Sequence, residues 1–498
     1  MSDASKTTKE DDEEVNTKIK QLNLNKWNLI GILFILLAII ATTLKNSPLE
    51  CEEKKIRHTY KRYWIYGDNV KSGYLENVFR ILDRLGYKNG SNADDWDLLW
   101  AHKYPFFDLH SKLDRLKPYQ KVNKLPGSGF ITNKVNLATS DLKYIPAAFR
   151  LPKDKEKLLN YAQIRPYKLL VEKNNDHRYI RIKNITDVNL NNDGAFIQEY
   201  VDKPLLISGY KFDIGVYVIF TSVDPLRVYI YAEDYLLRFC PVKYYPFDPH
   251  NIDKYVVGDD YLPPWDVPDL KYYHNNLSFG MAESVNAYLR AKNKDPSKIW
   301  EQIEDSIRIV ALAKEPNIIN AMKRFASKTN FFEMMRFDFV VDENLDVFLM
   351  EANMSPNLSS AHFPRNRLLF EQIIFNTLGL VGVSDATRHK KHLVEDEMKV
   401  ADKNIMVFPN ECESPVCRSS CMSPICQLCK PCLSDESKNN FKRAYREHMN
   451  KGGCKRIFPA QINPEKINLE EDLEHYSPEN QIQHRWFQGK CKMDKSWC

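Results

Sequence analysis

The chain has 498 residues, of which 43% are hydrophobic and 12% aromatic, which allows two or three domains or one large multi-lobed domain. This composition excludes a disordered protein, because aromatic residues are plentiful and Gly and Pro are not in excess. The net charge of +5, from 71 basic and 66 acidic residues, does not indicate nucleic-acid binding, although it would tolerate an acidic protein partner or a phosphate ligand.

The amino-terminal part contains one long apolar segment. Residues 1–26 are polar and predict a disordered tail, whereas residues 27–44 read WNLIGILFILLAIIATTL without a charge. At a rise of about 1.5 Å per residue this segment reaches roughly 27 Å, enough for a bilayer core. It predicts a membrane localisation through an uncleaved single-pass transmembrane helix, followed by a charged stalk over residues 45–70. A buried core helix and a cleaved signal peptide are the alternatives, and the flanking lysines do not decide the orientation.

The next predicted unit, an amino-terminal lobe over residues 71–165, begins with a helix. Five apolar residues fall on one helical face before Gly86, which ends the helix: Leu75, Val78, Phe79, Leu82 and Leu85. A short strand is predicted at residues 97–100 and a turn at the sequence LPGSGF, residues 125–130.

Two further lobes are predicted over residues 166–240 and 241–390. In the first, short apolar runs recur between residues 168 and 231, and the last two form a hairpin around a turn at Asp224-Pro225. The second begins with a Pro- and Tyr-rich irregular stretch. A helix then follows Asp295 and Pro296, with apolar residues at helical spacing.

A hairpin over residues 336–353, RFDFVVDENLDVFLMEAN, carries the strongest candidate for a metal site. Two apolar strands flank the polar loop 343–346. If Asp342 pairs with Val347, Asp338 lies opposite Glu351, and Asn353 shares the face of Glu351. Two carboxylates and an amide oxygen on one face suit Mg²⁺ together with the oxygens of a phosphate ligand. A surface hairpin with polar residues facing water is the alternative.

A second candidate is the sequence Lys211-Phe-Asp213. Lys211 and Asp213 point to one side of a strand and Phe212 to the other. Such a lysine could hold a phosphate, and an ordinary ion pair within a strand is the alternative.

Several stretches of the chain resemble the tubulin–tyrosine ligase-like family. The most specific match runs from Gln198 to Arg238 and includes QEYVDKPLLISGYKFDIGVYV, residues 198–218. The hairpin of Asp338 and Glu351 resembles the family as well. Upstream, NKLPGSGFITNKVNL at residues 123–137 resembles its lysine-bearing segment, and FRLP at residues 149–152 fits the next landmark. The resemblance covers roughly residues 71–385.

The resemblance implies an α+β fold of the ATP-grasp type, with ATP held between two lobes. It places the adenine-side hinge at Gln198, Glu199, Tyr200 and Val201. It brings Lys134, Lys173 and Lys211 to the phosphates and Asp213 to the ribose or phosphate side. It assigns Mg²⁺ to Asp338, Glu351 and Asn353, and a role at the γ-phosphate or the acceptor to Arg238.

The implied reaction is ATP-dependent ligation of an amino acid to a protein carboxylate. The carboxylate becomes an acyl-phosphate, and the amine of a free amino acid displaces phosphate. Glutamate is the default amino acid and tubulin the default acceptor for the family. The alternative is a membrane-tethered nucleotide-binding protein on the same fold that ligates poorly or not at all.

The sequence departs from the family pattern at three places. Gly215 stands where the family usually has an arginine that would lie near the phosphates. The glycine-rich loop expected after Lys173 is replaced by a polar stretch in which Arg178 could approach phosphate. The family's His-Leu-Thr-Asn stretch does not follow Arg238.

The last predicted unit, residues 391–498, is polar and rich in cysteine. Nine of the eleven cysteines lie between Cys412 and Cys498, including a CxxCxxC run that begins at Cys426. This pattern allows either a zinc site at Cys426, Cys429 and Cys432 or a disulfide-bonded module. Disulfides would require an oxidising compartment, as would use of the Asn-X-Ser/Thr sequences as glycosylation sites. A lumenal catalytic domain could not modify tubulin, which is cytosolic.

Overall fold

A computed structural model describes residue 31 and residues 60–90, 96–174, 180–385, 399–469 and 471–498. Over these residues helices and strands mix along the chain, and the predicted α+β class is confirmed. The strands form three sheets, of four, seven and four strands.

The first sheet is parallel and has the order β2-β1-β3-β4. Its strands are β1 (Arg62–Tyr66), β2 (Lys88–Asn89), β3 (Leu98–Ala101) and β4 (Lys121–Val122). Helix α1 (Glu76–Arg84) connects β1 to β2 and buries Val78 and Leu82, as the predicted apolar face requires. The sequence predicted a stalk over residues 45–70, but β1 lies inside this range and buries Trp64.

Short helices lead from this sheet to the second one. They are α2 (His110–Leu113), α3 (Gly129–Thr132) and α4 (Lys134–Ala138). The second sheet is antiparallel, in the order β5-β8-β6-β7. Its strands are β5 (Ala148–Arg150), β6 (Leu170–Asn174), β7 (Ile180–Lys183) and β8 (Ala195–Glu199), with α5 (Lys155–Ile164) between β5 and β6.

The third sheet is the largest and contains the hairpin predicted at residues 336–353. Its order is β14-β13-β10-β11-β15, and β9 and β12 also pair with β10. The strands are β9 (Leu206–Ile207), β10 (Tyr210–Val223), β11 (Leu226–Tyr231), β12 (Leu236–Phe239), β13 (Glu333–Val341), β14 (Val347–Asn353) and β15 (Cys454–Phe458). This sheet draws strands from three predicted units, since β15 belongs to the cysteine-rich tail.

Three longer helices accompany this sheet: α6 (Met281–Ala291), α7 (Ser297–Met322) and α8 (Arg367–Leu380). Helix α7 follows Asp295 and Pro296 as predicted, and it buries Ile299, Ile303 and Ile307 against the sheet. The predicted boundaries between lobes remain predictions.

The carboxy-terminal residues form a module with its own small core. Its helices are α9 (Asp402–Ile405), α10 (Pro409–Cys412), α11 (Pro415–Ser419), α12 (Asp435–Met449) and α13 (Pro478–Met493). Phe441 of α12 stacks on Trp486 of α13 at 4.9 Å between ring centroids. In the described part of this module eight cysteines are disulfide-bonded, in the pairs Cys412–Cys429, Cys417–Cys426, Cys421–Cys432 and Cys491–Cys498. This pairing agrees with the disulfide interpretation and leaves Cys426, Cys429 and Cys432 without free thiolates for zinc.

The membrane localisation predicted from residues 27–44 is corrected. Within the described ranges, no helix combines the length and the apolar character that a bilayer crossing needs. The 26-residue helix α7 is long enough, but charged side chains such as Lys298, Glu301 and Arg308 interrupt it. Residues 27–44 themselves lie outside the described residues, apart from Gly31.

Candidate active site

The hairpin of β13 and β14 brings the three predicted metal ligands together. Asp338 pairs directly with Glu351, and Arg336 pairs with Asn353 two residues along, on the same face of the hairpin. The side-chain amide Nδ2 of Asn353 lies 3.0 Å from Oδ2 of Asp338 and 3.1 Å from Oε1 of Glu351. The two carboxylates and the amide therefore face one small volume.

A β-bulge produces this arrangement. Near the turn Val341 pairs with Val347, whereas the sequence predicted that Asp342 would do so. If this register continued along the strands, Asp338 would not lie opposite Glu351, and the side chain of Glu351 would point to the other face of the hairpin. The register shifts by one residue between Asp338 and Phe339, which restores the predicted pairing of Asp338 with Glu351.

Two arginines hold the carboxylate of Asp338. Arg336 donates to this carboxylate from two of its guanidinium nitrogens, with Nε 2.6 Å from Oδ1 and Nη2 2.8 Å from Oδ2. Arg238 of β12 approaches Oδ2 at 3.1 Å and binds Asp213 of β10 with two hydrogen bonds of 2.9 and 2.7 Å. Burial raises the pKa of Asp213 to about 6, opposed by Arg238 and assisted by Asp338. Arg238 and Asp213 thus belong to the same cluster as the predicted metal ligands.

Three predicted lysines enter the same region from different elements. Lys134, at the start of α4, lies 3.2 Å from Oε2 of Glu351. Lys173 of β6 donates to the side-chain oxygen of Gln198 at 2.8 Å. Lys211 of β10 donates to the backbone carbonyl of Tyr255 at 2.7 Å.

The lysines and Glu351 influence one another electrostatically. Burial lowers the pKa of Lys173 to about 8; Glu351 opposes this effect, and the positive charges of Lys134 and Lys211 add to it. Burial also lowers the pKa of Lys211. Burial alone would raise the pKa of Glu351, but Lys134, Asn353 and Arg336 lower it to about 2. Glu351 is therefore a carboxylate throughout the physiological pH range.

The four predicted hinge residues occupy the end of β8 and the residues after it. Gln198 is buried and faces Lys173. Glu199 points to the other side, where Lys168 lies 2.9 Å from Oε1 and Tyr161 donates to Oε2. Tyr200 and Val201 are buried, and the ring of Tyr200 lies 5.5 Å below the ammonium of Lys211. Because neighbouring side chains of a strand alternate, Glu199 could contribute to a nucleotide site here only through its backbone.

The donor atoms fit a divalent cation and a phosphate chain. Two carboxylates and an amide converge, and a rotation of the Asn353 amide would present its oxygen in place of the nitrogen. The surrounding charges are five cations (Lys134, Lys173, Lys211, Arg238 and Arg336) and three carboxylates (Asp213, Asp338 and Glu351). The two surplus positive charges suit a polyphosphate. Arg178, which the sequence placed near phosphate, lies outside the described residues.

A cavity of about 550 Å³ adjoins these residues. It is lined by His102, Thr132, Asn133, Lys134, Ala352, Asn353, Met354 and Ser355. Because Lys134 and Asn353 both line it, the cavity leaves room for a small substrate next to the cluster.

Sequence reasoning missed two basic residues. Arg336 precedes Asp338 by two positions, so strand alternation places both on one face, and this spacing could have revealed it. Lys124 is buried, lies 3.8 Å from Glu333 and donates to the backbone carbonyl of Met354 at 2.9 Å, next to Asn353. No local pattern indicates this contact, because its partners are more than 200 residues away.

Comparisons with known proteins agree with this geometry. The profile of the tubulin-tyrosine ligase family matches residues 111–390, more than half of the chain. The probable tubulin polyglutamylase ttll-15 of Caenorhabditis elegans is 39% identical over 86% of this chain and 85% of its own length. Human tubulin polyglutamylase TTLL6 is 27% identical over 66% of this chain and 38% of its own length. Mouse tubulin monoglutamylase TTLL4 is 30% identical over 61% of this chain and 27% of its own length.

Members of this family generally use ATP and Mg²⁺ on an ATP-grasp fold, and the match includes all the residues of the cluster described above. The chain belongs to the tubulin-tyrosine ligase family.

Proposed function

We propose that this protein is an ATP- and Mg²⁺-dependent ligase that adds an amino acid to a carboxylate of a protein. The observation that supports this most directly is the convergence of Asp338, Glu351 and Asn353 beside a surplus of positive charge. The family assignment points to the same reaction class.

Each group of residues has a distinct part in this proposal. Asp338, Glu351 and Asn353 would hold Mg²⁺, and Lys134, Lys173 and Lys211 would neutralise the phosphates. The segment from Gln198 to Val201 would bind the adenine, largely through its backbone. When bound, ATP supplies the phosphoryl group that activates the acceptor carboxylate. Arg238, which Asp213 holds with two hydrogen bonds, would bind and orient the γ-phosphate or the acceptor.

The proposed amino acid is glutamate, and the first acceptor to test is tubulin. The names of the relatives support both choices, since two are tubulin polyglutamylases and one a tubulin monoglutamylase. The cavity lined by Lys134 and Asn353 would receive one of the two substrates, the free amino acid or the acceptor carboxylate.

The substitution Glu351→Gln tests the proposal. It keeps the side-chain size but removes a carboxylate whose pKa of about 2 keeps it charged. We expect ligation to fall by roughly 100-fold or more and the affinity for Mg-ATP by roughly tenfold or more. Labelled glutamate incorporation into tubulin and calorimetric titration with Mg-ATP measure the two effects. Glu283→Gln, an exposed residue of α6, is the matched control, and unchanged ligation in Glu351→Gln would show that the metal assignment is wrong.

A second candidate function is nucleotide binding without efficient ligation. Gly215 favours it, because an arginine is usual at this position in the family. In that case wild-type protein would bind Mg-ATP in the same titration, but it would transfer glutamate neither to tubulin nor to another protein acceptor.

A further inference from the structure

The side chain of Arg336 occupies the space directly over Gly215. The two residues lie on adjacent strands, where Gly215 of β10 pairs with Asp338 of β13. A Cβ atom at position 215 would lie 2.9 Å from Cδ and 3.3 Å from Nε of Arg336. It would also lie 3.3 Å from Oδ1 of Asp338. A glycine at 215 is therefore what allows Arg336 to lie across β10.

The guanidinium of Arg336 is buried inside the charged cluster. The residue is 7% exposed, and both of its hydrogen bonds to Asp338 are shorter than 3 Å. An arginine side chain stays charged over the whole pH range in which proteins fold. The carboxylate that it binds is one of the three proposed metal ligands.

Packing alone does not require this buried charge, because burying a guanidinium carries a desolvation cost that apolar packing would avoid. Asp338 also accepts a hydrogen bond from Arg238, which binds Asp213 with two more, so the two arginines and the two carboxylates form one buried network. Arg336 is one of three charged residues, with Glu333 and Asp338, in the otherwise apolar and buried strand β13. The charge instead adds to the positive surplus around the predicted phosphate end of the site.

We propose that Arg336 is a nucleotide-binding residue of this site and supplies, from β13, the guanidinium that the chain lacks at position 215 on β10. This proposal rests on the proposed function, because it assigns Arg336 to the phosphate end of the same Mg-ATP site. The positive charge is kept in the same place, but a different strand provides it. The position of Arg336 then depends on Gly215, because the missing side chain at position 215 leaves the space that the Arg336 side chain occupies.

An exchange of the two residues tests this proposal. Three variants of the full-length protein are compared with the wild type: Arg336→Gly, Gly215→Arg, and the exchange that combines both. The dissociation constant of Mg-ATP is measured by calorimetry, with circular dichroism and thermal unfolding as checks of folding. Arg290→Gln, an exposed arginine of α6, controls for the loss of one positive charge.

We expect Arg336→Gly to weaken Mg-ATP binding by roughly 10- to 100-fold, the effect of losing a charge-assisted pair of hydrogen bonds. Gly215→Arg alone should unfold at a lower temperature because of the collision with Arg336. The exchange should recover binding to within about fivefold of wild type, since it returns one guanidinium to the same space. Arg336→Lys keeps the charge but loses the two-nitrogen fork, so an intermediate affinity is expected.

A purely structural role would give a different pattern. Arg336→Gly would then unfold at a lower temperature but bind Mg-ATP as tightly as wild type, and the exchange would bring no gain in affinity. That result overturns the proposal and leaves the proposed function intact. If Arg336→Gly does not fold, equal affinities of Arg336→Lys and wild type overturn it in the same way. Wild-type protein that fails to bind Mg-ATP refutes the proposed function, and this inference with it.

Discussion

At the scale of single residues, the cluster is defined by how its charges influence one another. Lys173 is the clearest case, because burial lowers its pKa to about 8 and the ammonium groups of Lys134 and Lys211 add to the effect. Glu351 is the carboxylate that opposes this shift. A bound phosphate would favour the charged form and raise the pKa of Lys173 again.

This argument predicts the pH dependence of nucleotide binding. Below pH 8 Lys173 is charged before ATP binds, whereas above pH 8 the binding must be accompanied by proton uptake. The affinity should therefore fall as the pH rises from 8 to 10, by up to about tenfold per unit. Lys173→Arg, which stays charged, should show a shallower decline. Titrations at several pH values measure this, and equal slopes in both proteins would contradict the assignment.

At the scale of elements, a buried ion pair between β11 and α12 joins the seven-stranded sheet to the carboxy-terminal module. Arg227 of β11 is 1% exposed and binds Glu447 of α12 through Nε at 2.8 Å and Nη2 at 2.9 Å. It also donates to Asn440 and Gln483, so its whole guanidinium is engaged. Removing one partner of such a pair leaves the other charged and buried.

The substitution Glu447→Gln should therefore destabilise the protein strongly. We expect the free energy of unfolding to drop by about 3 kcal/mol, in the range known for broken buried pairs. Asp435→Asn disrupts an exposed pair with Lys438 on the same helix, at 3.1 Å, and should change the stability by about 0.5 kcal/mol or less. Denaturant unfolding of both variants measures the difference. Similar effects of the two substitutions would mean that the buried pair adds no more than a surface pair.

At the scale of the whole molecule, the carboxy-terminal module adds the strand β15 to the seven-stranded sheet. Strand β15 pairs with β11, with Val228 opposite Phe458 and Tyr231 opposite Cys454. The module thus covers an edge of β11 that would otherwise present unpaired backbone groups. The four disulfides close loops of 7 to 17 residues within the module.

These bonds predict the chemical state of the cysteines. Peptide mapping without reduction should recover the four pairs, while Cys240 and Cys454, both buried as free thiols, should react with a thiol reagent only after unfolding. Reduction should lower the unfolding temperature. Reactive thiols in the module together with a stoichiometric zinc ion would instead support the zinc interpretation. Oxidised pairs in protein taken from cells would direct the acceptor search to oxidising compartments, away from tubulin.

The sequence by itself predicted those features that depend on residues close together in the chain. The apolar face of α1, the start of α7 after Pro296 and the hairpin of β13 and β14 follow from local periodicity and turn residues. The pairing of Asp338 with Glu351 was also predicted, although from a register that a bulge had to correct. The resemblance to the family, which is confirmed, also named Lys134, and the structure places this lysine 3.2 Å from Glu351 of the hairpin.

Only the tertiary structure decided which distant residues share the site. It laid Arg336 over Gly215, although more than 100 residues separate them. It lowered the pKa of Lys173, mainly by burial, and placed charges from three other elements close enough to influence that pKa. It also added β15 to the edge of β11 and chose the partners of the cysteines. The physical reason is the range of the forces involved. Side-chain alternation and turns act within a few residues, whereas sheet pairing, burial and electrostatic coupling depend on the packing of the entire chain.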